Sequence, residues 1–144
     1  STAPSSGAVL GSGGGVAIAD IPQGMLAIYE AAAPSCPGLP WQILAGIGKV
    51  ETNHARAVAI SSAGAEGPMQ FLPSTWAQYG VEADGDGVAD INSPIDSVFG
   101  AAKLLCANGA GQPATLPSAI WDYNHSQAYV AEVLSWARAY GWVR

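Results

Sequence analysis

Glu51 closes the stretch "PWQILAGIGKVE", in which Trp41, Leu44, Ile47 and Glu51 recur at steps of three and four. On a helix that spacing puts all four on one face, and because the face is apolar the carboxyl is carried inward. Desolvation disfavours the anion, so such a glutamate keeps its proton near neutral pH and can protonate a leaving oxygen, the step that glycosidic cleavage needs. An unpaired buried carboxylate is costly, so a structural role calls for a basic partner, yet Lys49 lies at a spacing that does not face it. On periodicity alone, a carboxylate at a helix end facing solvent explains Glu51 equally well.

Two further stretches alter that balance. After "ETNH" at residues 51–54 come "SSAGAEGPMQFLPSTW" at 61–76 and "WDYNHS" at 121–126. Taken together and in this order, they resemble the motifs of lytic transglycosylases, the lysozyme-like enzymes that cut bacterial peptidoglycan. The resemblance runs from about Gly24 to Trp142 and is nearest to the B-type membrane-bound enzymes and their exported relatives. It implies that Glu51 is the catalytic acid and that Ser61 lies near its carboxyl. It also implies that Gly67, Met69, Gln70, Tyr123 and Asn124 line the sugar groove.

The chemistry implied needs one carboxyl group. The muramoyl 6-hydroxyl attacks the anomeric carbon internally, so the same glutamate serves as acid and then as base, with the substrate's N-acetyl group able to assist. Gln70 and Asn124 can donate to and accept from acetamido groups, and the Tyr123 ring offers a stacking face with a polar tip. A hydrolase would require a second carboxyl about 5 to 9.5 Å across the bond. Glu66 is the residue that could supply it, although a place on the loop surface is the simpler reading. Asp122 is expected on a helix surface, because adjacent helical residues point apart, and His54 at a solvated helix end.

"VEADGDGVADINS" sets Glu82, Asp84, Asp86, Gly87 and Asp90 at positions one, three, five, six and nine of a calcium loop. Ser93 stands at position twelve in place of the bidentate glutamate, and a bare acidic turn explains the same letters. The resemblance to B-type enzymes, in which a calcium site is known, raises the chance of calcium here without displacing the bare-turn reading. An ion at this place would be structural, and no cofactor is required for the reaction.

These residues have to be positioned by helices. "IPQGMLAIYEAAA" carries Met25, Leu26, Ile28 and Tyr29 at helical spacing and is stopped by "APSCPGLP". Pro40 suits the start of the Glu51 helix. "PSTWAQYG" reads as a short helix ending at Gly80. Ser93, Pro94 and Asp96 form a capped start for a helix reaching "CANGAG", and Leu116 to Tyr123 and Gln127 to Tyr140 supply the last two. Almost nothing alternates with period two, so the expected fold is all-α, lysozyme-like and predominantly helical, with room for a small β-hairpin near residues 56–62.

Composition narrows the rest. The 144 residues suffice for one core, and the 49% hydrophobic and 11% charged content describes a chain that folds. Residues 1–20, rich in Ser, Gly, Pro and Ala, read as a flexible lead-in, and 21–144 as the domain. A net charge of −6 with five basic residues excludes phosphate-backbone binding, so nucleic acid is not an expected partner. No apolar run is long enough to span a bilayer.

A disulfide between Cys36 and Cys106 is favoured over two buried free thiols; it would stabilise the fold by about 4 kcal/mol in the chain-entropy model and implies an exported location. The sequence thus leads to a secreted, monomeric lytic transglycosylase acting on peptidoglycan glycan strands. A hydrolytic muramidase is the nearest rival. A non-catalytic peptidoglycan-binding domain of the same fold and a calcium-responsive adaptor are the others.

Overall fold

A computed structural model describes residues 17–144, in which six α-helices follow one another. They are α1 (Gln23–Ala32), continued by a 3-10 turn (Ala33–Ser35), α2 (Trp41–Thr52), α3 (Pro73–Tyr79), α4 (Pro94–Ala107), α5 (Leu116–Asn124) and α6 (Gln127–Ala139). The expected all-α reading holds. The hairpin expected near residues 56–62 is absent; the one β-pairing among the described residues is an isolated bridge between Glu66 and Phe71. Gly64 and Gly67 break the chain on either side of Glu66, so no second pair can form a ladder.

Helix starts follow their local chemistry. Pro40 is in extended conformation immediately before α2, Pro94 fills the first turn of α4, and the Ser93 hydroxyl accepts from the Asp96 amide at 3.1 Å. Ser126 does the same for α6, accepting from the Tyr129 amide at 3.1 Å. This fixes Tyr129 in the first turn of α6, where it can face inward.

Helix α2 is the centre of the molecule. Ile43, Leu44, Ala45 and Ile47 are fully buried, and α2 packs most extensively along α6. Each of the larger side chains contributes about 2 kcal/mol on leaving water. A helix buried on nearly all sides is a rigid support, so a residue at its end is held by the whole core.

The expected disulfide is present. Cys36 and Cys106, with Cα atoms 5.6 Å apart, join the end of the 3-10 turn to the last turn of α4. Residues 1–16 of the anticipated lead-in lie outside the described residues. Residues 17–20 belong to the packed unit, since Ala17 and Ile18 rest on the core and Asp20 pairs with Lys49 at 2.9 Å and with Arg56 at 3.3 Å. Their apolar and charged side chains find partners that composition alone does not reveal.

Candidate active site

Glu51 lies one residue before the end of α2, partly buried, with Oε2 accepting a hydrogen bond from the Tyr129 hydroxyl at 2.9 Å. Burial pushes its carboxyl up to about 7, and the Tyr129 hydrogen bond, which favours the anion, only partly opposes this. Neither a basic side chain nor a second carboxylate contributes to that shift. The group is therefore about half protonated at neutral pH. Because Tyr129 donates to Oε2, the proton is placed on Oε1.

Tyr129 stacks parallel to Tyr123, with centroids 6.4 Å apart and planes 6° from parallel. The Tyr123 hydroxyl donates in turn to the Met69 carbonyl at 2.7 Å. Burial raises both phenols well above their ordinary value, and the nearby Glu51 charge adds to it, so both remain donors. Two stacked rings thus connect the carboxyl to the 67–70 turn. A second link runs from Thr52, whose hydroxyl donates to the Pro68 carbonyl at 2.7 Å.

The turn depends on backbone conformation. Gly67 has φ of +79°, and a Cβ there would come within 2.1 Å of the Ile91 carbonyl oxygen. Gln70 has φ of +54°, and its side-chain amide donates to the carbonyls of Ala59 at 2.8 Å and Gly67 at 3.0 Å, which ties the turn to the preceding loop. Gly67→Ala combines a left-handed strain with a backbone clash, so a loss of about 2 kcal/mol or more in unfolding free energy is expected by denaturant titration. An unchanged midpoint would mean that the turn is not held as described.

Gln70, Tyr123 and Asn124 meet at a groove of about 490 Å³, walled by α3 and the end of α5 and also lined by Leu72, Tyr79 and Asp122. Glu51 is not among the residues lining that groove; it is joined to the groove residue Tyr123 through Tyr129. Met69 corrects an expectation, for its side chain is fully buried in the core and only its carbonyl serves the site. Ser61 is exposed and closes its own loop, accepting from the Ala65 amide on Oγ at 2.9 Å. No hydrogen bond joins Ser61 to Glu51 among the described residues.

Other expectations shift as well. Asp122 is exposed, as a helix-surface residue should be, yet it lines the same groove as Tyr123 and Asn124. Glu66 is partly buried, and its backbone pairs with Phe71. His54 is not at a solvated helix end: it is 2% exposed, with Nδ1 2.8 Å from the Tyr29 hydroxyl and Nε2 2.9 Å from that of Tyr140. The helix ends before it. Asn53, His54 and Ala55 have φ of 51°, 59° and 70°, three left-handed residues in succession at roughly 1–2 kcal/mol each. That reversal swings the imidazole into the core.

Tyr129 was missed in the sequence because nothing local links it to a glutamate 78 positions away. Ser126 three residues before it was the available signal.

In the acidic loop, carboxylate oxygens of Glu82, Asp84 and Asp86 lie within 4.8 Å of one another. Asp90 is not part of that cluster; its carboxylate accepts from the Asn92 amide at 2.9 Å. The buried Asp96 shapes the loop from beneath, accepting from the amides of Ala83 at 2.8 Å, Asp84 at 3.2 Å and Asp90 at 3.0 Å.

The mostly helical fold is lysozyme-like. The chain belongs to the family described as "Transglycosylase SLT domain", whose profile matches residues 41–117, more than half of its length. A 49-residue segment is 41% identical to the membrane-bound lytic murein transglycosylase B of Escherichia coli K12. That segment is 34% of this chain and 14% of that protein.

Among solved structures, the Escherichia coli lytic transglycosylase SLT35 in complex with bulgecin A shares the fold, with a TM-score of 0.66 at 19% identity over 86% of this chain and 76% of that one. The same protein in complex with calcium matches equally. SltB3 from Pseudomonas aeruginosa, in complex with NAG-anhNAM-pentapeptide, gives a TM-score of 0.68 at 18% identity over 89% of this chain and 62% of that one.

Proposed function

We propose that this domain is an exported lytic transglycosylase that cleaves the β-1,4 bond between N-acetylmuramic acid and N-acetylglucosamine in peptidoglycan, leaving a 1,6-anhydromuramoyl end. The observation that carries this reading is Glu51, a solitary carboxyl held by burial at about 7. Its proton passes from Oε1 to the glycosidic oxygen as the bond to the anomeric carbon breaks. The resulting carboxylate, steadied by the Tyr129 hydroxyl, takes the proton of the muramoyl 6-hydroxyl as that oxygen bonds to the anomeric carbon. No water enters the balance, and no second carboxylate is needed.

Tyr123, Gln70 and Asn124 bind sugar in the groove, with Asp122 on its wall. The working unit is residues 21–144 together with the packed residues 17–20, acting as a monomer on glycan strands. Membership of the SLT family supports the activity, and the anhydro sugar bound to SltB3 fits the product. The disulfide fits an oxidising location outside the cytoplasm. No described helix is long and apolar enough to cross a membrane.

Mass spectrometry of digested walls tests the reading. A muropeptide end lighter by one water supports it, and a reducing end assigns the protein to the hydrolytic muramidases.

Glu82, Asp84 and Asp86 fit a calcium ion. Ligand oxygens about 2.4 Å from a shared ion lie up to about 4.8 Å apart, a limit within which their carboxylates fall. The Asp84 carboxyl is held below its ordinary range, first by the Asp86 amide, so it is fully charged at neutral pH. The ion would order the loop and take no part in proton transfer. Calcium at ten times its dissociation constant should raise the melting temperature by about 3–5 °C, and Asp84→Asn should abolish the rise. Identical melting with and without calcium would remove the ion from the reading.

A further inference from the structure

The pair of aromatic hydroxyls around His54 has no role in the chemistry above, yet it lies directly behind the catalytic helix end. Asp20, as a carboxylate, can only accept, so the Tyr140 hydroxyl 3.4 Å away donates to it. The Tyr140 oxygen then accepts from His54, which places the imidazole proton on Nε2 and leaves Nδ1 to accept from Tyr29. The order Tyr29, His54, Tyr140, Asp20 is therefore a single directed chain. It joins α1, the turn after α2, the end of α6 and the segment before α1.

The imidazole is neutral for a reason. Burial lowers it to about 4; Asp20 opposes this, while Lys49 and Arg56 add to the lowering. A Cβ on Gly48 would clash with the Tyr29 oxygen, so α1 and α2 close tightly over this hydroxyl.

We infer that His54 is a positioning residue: hydrogen-bonded on both ring nitrogens, it holds the left-handed turn after α2 and thereby keeps Glu51 buried against Tyr129. Nothing else with a side chain that large reaches the core from the turn. Asn53 faces Lys49 and Arg56 at the surface, and Ala55 is tied by its amide to the Thr52 hydroxyl at 3.0 Å. Were the turn to relax into ordinary right-handed or extended backbone, Thr52 would be pulled from Pro68 and the Glu51 carboxyl would turn towards water. The inference rests on the proposed role of Glu51, but its first readout does not.

The test is the titration of Glu51 followed by carbon-13 NMR in the full chain carrying labelled glutamate, in His54→Phe and Tyr29→Phe. His54→Phe puts a somewhat larger aromatic ring in its place and removes both nitrogens; Tyr29→Phe removes one hydrogen bond and is the milder change should the first fail to fold. The Glu51 midpoint is expected to fall by one unit or more in His54→Phe and measurably in Tyr29→Phe. Rates of wall lysis, measured well below the melting temperature, should drop about 30-fold and about 5-fold respectively in kcat, with KM within twofold of wild type. A folded variant with the wild-type Glu51 midpoint overturns the inference. A lowered Glu51 midpoint in the variants, with a wild-type protein that never cleaves walls, would sustain it and sink the proposed activity instead.

Discussion

Glu51→Gln is expected to clear purified cell walls about a thousandfold more slowly than wild type and yet to unfold later at pH 7.5. The amide cannot give up a proton to the leaving oxygen, but it accepts the Tyr129 hydrogen bond as the carboxyl does. The folded protein holds the Glu51 proton up to about 7, whereas the unfolded chain releases it near 4.5, so wild type loses stability as pH rises between these values. The lost amount is about 3 kcal/mol, fully present below the lower value and gone above the higher. The variant does not titrate, so it should gain about that much over wild type at pH 7.5 and nothing near pH 4. Denaturant titrations at the two pH values measure both ends. The same offset at both would make Glu51 an ordinary solvated carboxylate, and undiminished lysis would remove it from the mechanism.

A second result follows from His54, whose shift has the opposite sense. Its imidazole takes a proton near 6.5 in the unfolded chain and only near 4 in the folded one, so its contribution is complete above 6.5 and disappears as pH falls to 4. That slope is also worth about 3 kcal/mol. In wild type the rise from His54 and the fall from Glu51 overlap between pH 4.5 and 6.5, and stability should be nearly level there. Glu51→Gln leaves only the histidine slope, so the variant should lose about 3 kcal/mol between pH 6.5 and 4. Thermal melts in the same buffers check this. A level curve in the variant would mean that the imidazole is not buried and neutral.

The sequence displayed the supports of this site better than its inner contacts. Pro40, Ser93 and Pro94 mark helix starts through side-chain and ring geometry that act within one turn, and the spacing of Trp41, Leu44 and Ile47 fixes which way Glu51 faces. Local physics writes such features into adjacent letters. The contacts of Glu51 with Tyr129 and of His54 with Tyr29 and Tyr140 join residues 78, 25 and 86 positions apart, where no period connects them. His54 misled for a further reason: the three-and-four rule stops at Thr52, and after a left-handed reversal the next side chain points where helical extrapolation would not send it. Met69 misled because one residue can offer its carbonyl to a site and its side chain to the core.

The corner between α5 and α6 consists of His125, with φ of 40°, and the capping Ser126. Adding one residue there would rotate the second helix by about 100° about its axis and carry Tyr129 away from both the carboxyl and the Tyr123 ring. Length at this corner is therefore set by the Tyr129 contact, whereas in the exposed stretch at 57–62 an insertion must spare the Ala59 carbonyl and the Ser61 hydroxyl, which Gln70 and the Ala65 amide engage. Any redesign that enlarges the groove should leave the length of this corner alone.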